Sequence, residues 1–143
     1  MPEVTIQPGE LHKVTVTEWI DGDTFHATYR AKVETRTTIK LPWQPKKAIE
    51  IVQTGEAVIP VVVRCWGINT PELHAPDRKP GQAAKEYAQK LAPSGTIVTA
   101  LLSARSEEKF GRWLADVQLS DGRMFREVMI KAGKAVEYYG GQR

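Results

Sequence analysis

Three short polar stretches hold residue types whose spacing suits chemistry. The first is Asp21-Gly22-Asp23-Thr24, two carboxylates separated by one residue. Oxygen donors of this kind suit a hard cation such as calcium, although Asp-Gly is also an ordinary hairpin turn. The second runs from Arg64 through Asn69-Thr70-Pro71 to Glu72, directly after the apolar run Val61-Val62-Val63. An arginine in an apolar strand is costly to bury unless it meets a carboxylate or a phosphate. Glu72, held on a Thr-Pro turn, is suited to fixing a water molecule. The plainer reading pairs Arg64 with Glu72 or an aspartate as a structural ion pair. The third stretch is Glu107 to Trp113, in which Lys109 and Arg112 bracket Phe110-Gly111. A solvated charged loop is its default reading. Each stretch is weak alone. Together they supply what phosphodiester hydrolysis needs: carboxylates for a metal, a glutamate for water, and two arginines for the charge that builds on the phosphate oxygens.

These groups must be held by short strands. Val14 and Val16 alternate with Thr15 and Thr17, and Phe25, Ala27 and Tyr29 alternate after the break at Asp21-Gly22, which predicts two strands. Residues 31–60 show no clear period and contain Pro42, Pro45 and Pro60. They read as a long excursion in which Thr37–Leu41 and Ile49–Val52 can pair. Val61–Trp66 is a continuous apolar strand interrupted only by Arg64. Ala83, Ala84, Tyr87, Ala88 and Leu91 recur at helical spacing, predicting a helix over about Gln82–Leu91 that stops before Pro93. Thr96–Leu102 and the alternation Trp113, Ala115, Val117, Leu119 predict two more strands, with a turn at Asp121-Gly122. Met124, Val128, Met129 and Ala132 form a second helical stripe closed by Gly133. This order fits a β-rich α+β fold, a small five-stranded barrel of the OB type with two or three helices. An open α+β sheet is the competing architecture.

The 143 residues predict one domain, 1–143, with an insertion at about 31–60. The composition, 41% hydrophobic and 26% charged, is that of a globular chain. One cysteine, Cys65, excludes an internal disulfide and a cysteine-rich zinc site. It sits in an apolar run and reads as a small buried hydrophobe. His12, His26 and His74 form no spaced metal motif. A net charge of +3 mildly favours an anionic partner. No run approaches the length of a membrane span, and the first residues lack the apolar region of a secretory signal. The expectation is a cytoplasmic monomer with no membrane partner.

The stretches "IDGDTF", "VRCWGINTPE", "KFGRWLADV" and "LSDGRMFREVMIKAGKA", in this order, resemble the staphylococcal-nuclease (thermonuclease) family. The resemblance covers about Val14–Tyr29 and Val61–Tyr139. It implies an OB-fold barrel and a calcium-dependent endonuclease that acts on DNA and/or RNA with little sequence preference. On the matching positions, Asp23 would ligate calcium with Asp21 in support, and Thr70 would offer its backbone carbonyl. Glu72 would act as general base or orient the attacking water. Arg64 and Arg112 would bind the phosphate and stabilise the transition state. Lys109, Phe110 and Tyr138 or Tyr139 would contact the nucleotide. Two positions depart from the family pattern. Asn69 stands where a second ligating aspartate is usual; its amide oxygen can still bind calcium, and the missing charge opens the site to Mg2+ or Mn2+. Phe110 stands where a tyrosine is common. The excursion at 31–60 replaces a short turn, and Trp43 with Lys46 and Lys47 has the cation-plus-aromatic character of a nucleic-acid contact, although the plainer and favoured reading is an ordinary exposed insertion with Trp43 packed on the barrel. The alternative is a weakened or inactive OB-fold module that binds nucleic acid or protein.

Overall fold

The computed structural model describes residues 11–102 and 112–139. Its elements in chain order are β1 (Leu11–Trp19), β2 (Thr24–Leu41), β3 (Gln44–Cys65), β4 (Gly67–Asn69), α1 (Lys79–Leu91), β5 (Ile97–Leu102), β6 (Arg112–Gln118), α2 (Phe125–Lys131) and β7 (Val136–Tyr138). The described residues divide into two compact units, one of residues 30–59, the other of residues 11–29, 60–102 and 112–139. The strands β2 and β3 run through both.

In the larger unit the strands follow the order β1-β2-β3-β6-β5, and the antiparallel pairing of β1 with β5 closes the barrel. The β3–β6 pair is parallel, with Arg64 opposite Leu114 and Val62 opposite Arg112. Strand alternation fills the interior. Val14 and Val16, Val61, Val63 and Cys65, Val98, Ala100 and Leu102, and Trp113, Ala115 and Val117 are all buried. A bulge between Val16 and Glu18 shifts the phase of β1, so that Trp19 rather than Glu18 turns inward. The Trp19 ring then lies 4.7 Å from Phe25 and stacks 5.1 Å from Phe125 of α2. Its Nε1–H donates to the Ala92 carbonyl at 2.8 Å, just past the end of α1. That bond satisfies one of the carbonyls a helix C-terminus leaves over.

The helix α1 begins at Lys79, earlier than its apolar spacing predicts. Pro80 stands in the first turn, where a missing N–H costs nothing. Gly81, Ala84 and Ala88 make its buried face. Helix α2 buries Phe125 and Met129, and Gly133, at φ +72°, ends it with the left-handed turn expected of a C-terminal glycine. A two-stranded sheet, β4 with β7, was not legible beforehand. Arg126 Nε donates to both Asp116 oxygens at 3.1 Å, and its guanidinium lies 5.5 Å above Trp66. Two helices are present among the described residues, neither long and apolar enough to cross a membrane.

The smaller unit is not a loop. Strands β2 and β3 continue through residues 30–41 and 44–59 and meet at the turn Pro42-Trp43. Threonine, valine and isoleucine recur in both, and their branched side chains favour extended backbone. Arg36 bonds Glu34 and Glu50, each at 2.7 Å, and Arg30 lies 3.7 Å from Glu56.

Replacing Trp19 by Phe keeps the stack and leaves the Ala92 carbonyl without its donor. Stability should fall by about 1–3 kcal/mol. A lower urea midpoint at unchanged slope is the expected result.

Candidate functional site

The turn between β1 and β2 is closed by the amides of Ile20 and Asp21, which donate to the Thr24 carbonyl at 2.9 and 3.3 Å. Asp21 Oδ1 accepts from the Asp23 amide at 3.0 Å. Asp21-Gly22-Asp23 is therefore a turn, and it is also a pair of carboxylates held at fixed separation. Close packing fixes Gly22 from outside. A Cβ there would stand 2.8 Å from the Ala84 Cβ of α1 and 3.0 Å from the Thr70 methyl.

Asp23 is almost fully buried. Its Oδ1 accepts from the Thr24 hydroxyl at 3.0 Å, and its Oδ2 accepts from the Thr70 amide at 3.0 Å. The Asp23 carbonyl accepts from the Cys65 amide at 2.8 Å. One residue thus ties the β1–β2 turn to the end of β3 and to the segment that carries Glu72.

Arg64 lies on the face of β3 opposite the interior residues Val63 and Cys65, with a side chain only 14% exposed. Nη1 donates to the Cys65 carbonyl at 2.7 Å. Nη2 donates to the Ile68 carbonyl at 2.8 Å and to Asn69 Oδ1 at 2.6 Å. The guanidinium also lies 3.5 Å from Asp23 Oδ2. Arg64 is a structural ion pair and a hub for the backbone that follows it. The two readings of the sequence are compatible.

Glu72 is exposed at its tip, but its backbone is pinned. A Cβ on Gly81 would stand 2.8 Å from the Glu72 carbonyl oxygen and 3.0 Å from that of Pro71. Only a glycine lets the first turn of α1 approach this closely. Sequence reasoning places Gly22 in a turn and Ala84 on a helix face but misses their close contact at the site, and it misses Gly81 altogether. The available signal was a run of small residues, Gly81, Ala84 and Ala88, at helical spacing.

A cavity of about 430 Å³ is lined by the carboxylates Asp21, Asp23 and Glu72, by Thr70, and by the cations Arg64 and Arg112. His74 also lines it. Asn69 does not; it borders a separate hollow with Pro71 and Lys134. Tyr138 lies in β7 opposite Gly67, and Tyr139 packs on Trp66 with ring centroids 5.1 Å apart. Neither lines the cavity. Lys109 and Phe110 lie outside the described residues.

Burial first, then the hydrogen bond and negative charge of Asp23, push the Asp21 carboxyl up to about 6. Two carboxylates this close are short of positive charge, even with Arg64 nearby. Among the described residues, no three His, Cys, Asp or Glu side chains converge as a metal cluster. The donors present are oxygens, and each Asp23 oxygen, accepting one hydrogen bond from Thr24 or Thr70, has a second lone pair. Such a set fits a hard cation whose shell is completed by water or substrate, and does not fit zinc. Burial drives the Cys65 thiol well above its ordinary value, so it is inert as a nucleophile.

Residues 62–143 match the model of the staphylococcal nuclease homologue family. Over 129 residues the chain is 28% identical to the SPbeta prophage-derived endonuclease YokF of Bacillus subtilis (strain 168), an alignment that covers 88% of this chain and 34% of that protein. The chain thus spans about a third of that relative's length.

Two outcomes follow from this geometry. Gly81→Ala overpacks the contact with Glu72. It should cost about 1–3 kcal/mol and speed amide hydrogen exchange across Thr70–Ala75. Asp21, raised from 3.8 to about 6, binds more protons folded than unfolded. Its contribution to stability therefore falls as pH rises through that interval. Urea unfolding without divalent metal should show that fall in the native chain and a reduced one in Asp21→Asn.

Proposed function

The chain belongs to the staphylococcal nuclease homologue family, and from that premise we propose that it is a calcium-dependent endonuclease, cutting DNA and/or RNA with little sequence preference. The family carries an OB-type barrel and a nuclease-type function. The observation that carries the finer reading is the meeting of Glu72, Arg64 and Arg112 with Asp21 and Asp23 around one cavity.

Asp21, Asp23 and the Thr70 carbonyl are the groups that would hold the cation. When bound, calcium supplies positive charge that stabilises the developing phosphate charge. The rest is the work of side chains. Glu72 orients a water molecule and takes its proton as the water oxygen attacks phosphorus and the ester P–O bond breaks. Arg112 and Arg64 meet the non-bridging oxygens, whose charge grows in the transition state. Three Arg64 N–H groups are already committed to carbonyl and amide oxygens. The other Nη1–H faces Asp23 Oδ2, 3.5 Å away, so of the five donors the Nε–H is the one left for the phosphate. Those fixed bonds keep the guanidinium oriented before substrate arrives, so little reorganisation is needed during the reaction.

A second reading is supported by Asn69. Its amide oxygen is bound to Arg64 at 2.6 Å, and the family's usual aspartate charge is missing. On that reading the barrel binds nucleic acid, or a protein, with weakened or no hydrolysis. The proposal also keeps a cytoplasmic monomer, and Mg2+ or Mn2+ as the metals that Asn69 opens to the site.

Purified protein incubated with single-stranded DNA and plasmid in calcium, magnesium, manganese or EDTA tests the reading. Calcium-dependent cutting is expected. Glu72→Gln should lower kcat by about 10²–10⁴-fold while DNA affinity holds or rises. No cutting in any metal, with binding intact, overturns the nuclease reading in favour of the binding module.

A further inference from the structure

The ribbon formed by residues 30–59 carries six cations, Arg30, Lys32, Arg36, Lys40, Lys46 and Lys47, against Glu34, Glu50 and Glu56. Its net charge is therefore +3, which equals that of the whole 143-residue chain. The remainder is balanced, and the positive excess sits on this one unit. It is also uneven along the ribbon. All three glutamates face Arg30 or Arg36. Among the described residues, no carboxylate pairs with Lys40, Lys46 or Lys47, which flank the turn at Pro42-Trp43. Trp43 at that turn is 74% exposed.

An exposed tryptophan is a poor choice for a solvated turn. A two-residue turn works with most residue types, and a bare indole costs hydration without return. Among the described residues, the three lysines beside it hold no carboxylate. An indole face among lysines matches one class of partner well. Bases stack on the ring, and the flanking ammonium groups neutralise the phosphates on either side.

We propose that the tip of this ribbon, Lys40 to Lys47 with Trp43 at its apex, is a binding element for single-stranded nucleic acid, outside the cavity that holds Glu72. It rests on the nucleic-acid reading above for its purpose, since it would add grip on a strand without taking part in the bond cleavage. Its partner is recognised by phosphate charge and by the unpaired base face, so it has little sequence preference.

The test is fluorescence anisotropy of a labelled single-stranded oligonucleotide with the full chain in EDTA, over a series of salt concentrations. EDTA removes cleavage, so binding is read by itself. Trp43→Ala should weaken binding about tenfold. Lys46→Gln with Lys47→Gln should lower the slope of log affinity against log salt by about 1.4. Arg36→Gln, on the same ribbon but ion-paired, is the control and should change neither by a comparable amount. Thermal unfolding of each variant separates lost binding from lost folding; the double lysine variant changes only exposed side chains and serves if Trp43→Ala fails to fold. Unchanged affinity and slope in folded variants overturn the proposal. So does a Trp43→Ala variant whose self-association or vesicle binding falls while its DNA affinity stays the same. If the native chain cuts nothing in any metal but the tip variants still weaken binding, the tip proposal stands and the nuclease reading falls.

Discussion

The site depends on one buried contact, Asp23 against Arg64. Their charged groups lie 3.5 Å apart, with 6% and 14% of the side chains exposed. A buried ion pair is a weak source of net stability, because desolvation offsets most of its attraction. Breaking it is another matter, since the surviving charge is stranded at a cost of about 3–5 kcal/mol. The pair is kept in place by neutral donors and acceptors on both sides: the Thr24 hydroxyl and Thr70 amide on Asp23, and three carbonyl or amide oxygens on Arg64. Two chain segments distant in sequence, residues 21–24 and 64–70, therefore share one electrostatic knot. The carboxylates cannot shift without disturbing the guanidinium.

Around that knot the packing is by small residues. Gly22 meets Ala84 and Thr70, and Gly81 meets the carbonyls of Pro71 and Glu72. Helix α1 therefore presses on the acidic turn and on the Glu72 segment with the same buried face. Its far end is held to the barrel by the Trp19 indole through Ala92. The distance between the acidic turn and Glu72 is set by a helix with no ionisable group in that face.

Much of the barrel is legible in the sequence because its strands have one buried face. Val14 and Val16, or Ala115 and Val117, alternate with half-buried polar residues, and that alternation is the signal. Residues 30–59 carry no such signal because neither face of most of the ribbon is buried. With nothing to select apolar residues every second position, a strand of 22 residues such as β3 reads as irregular in its first part. Strands β4 and β7 are three residues each, too short for any period. The polar residues of the site stand out by type, since arginine after three valines, or paired aspartates around glycine, has a physical cost that asks for a reason. Their distances from each other do not follow from type. Asn69 shows this well. As a side chain it is a fair oxygen ligand, yet its oxygen is turned to Arg64 and it borders a different hollow. The small residues that set the geometry, Gly22 and Gly81, look like ordinary turn and helix-end glycines until the neighbouring backbone is seen.

Cys65 gives the knot an internal reporter. It is the one cysteine in the chain, its side chain is buried, and its amide is bonded to the Asp23 carbonyl. A thiol reagent can reach it only when the end of β3 opens. The rate of native-state labelling therefore measures the free energy of that opening, and does so at the junction of the acidic turn and the arginine strand. A bound cation or anion that holds only the closed junction slows labelling by a factor of one plus the ratio of its free concentration to its Kd. Ligand occupancy can thus be followed by chemistry on the unmodified chain, without a dye, a tag or a cleavable substrate.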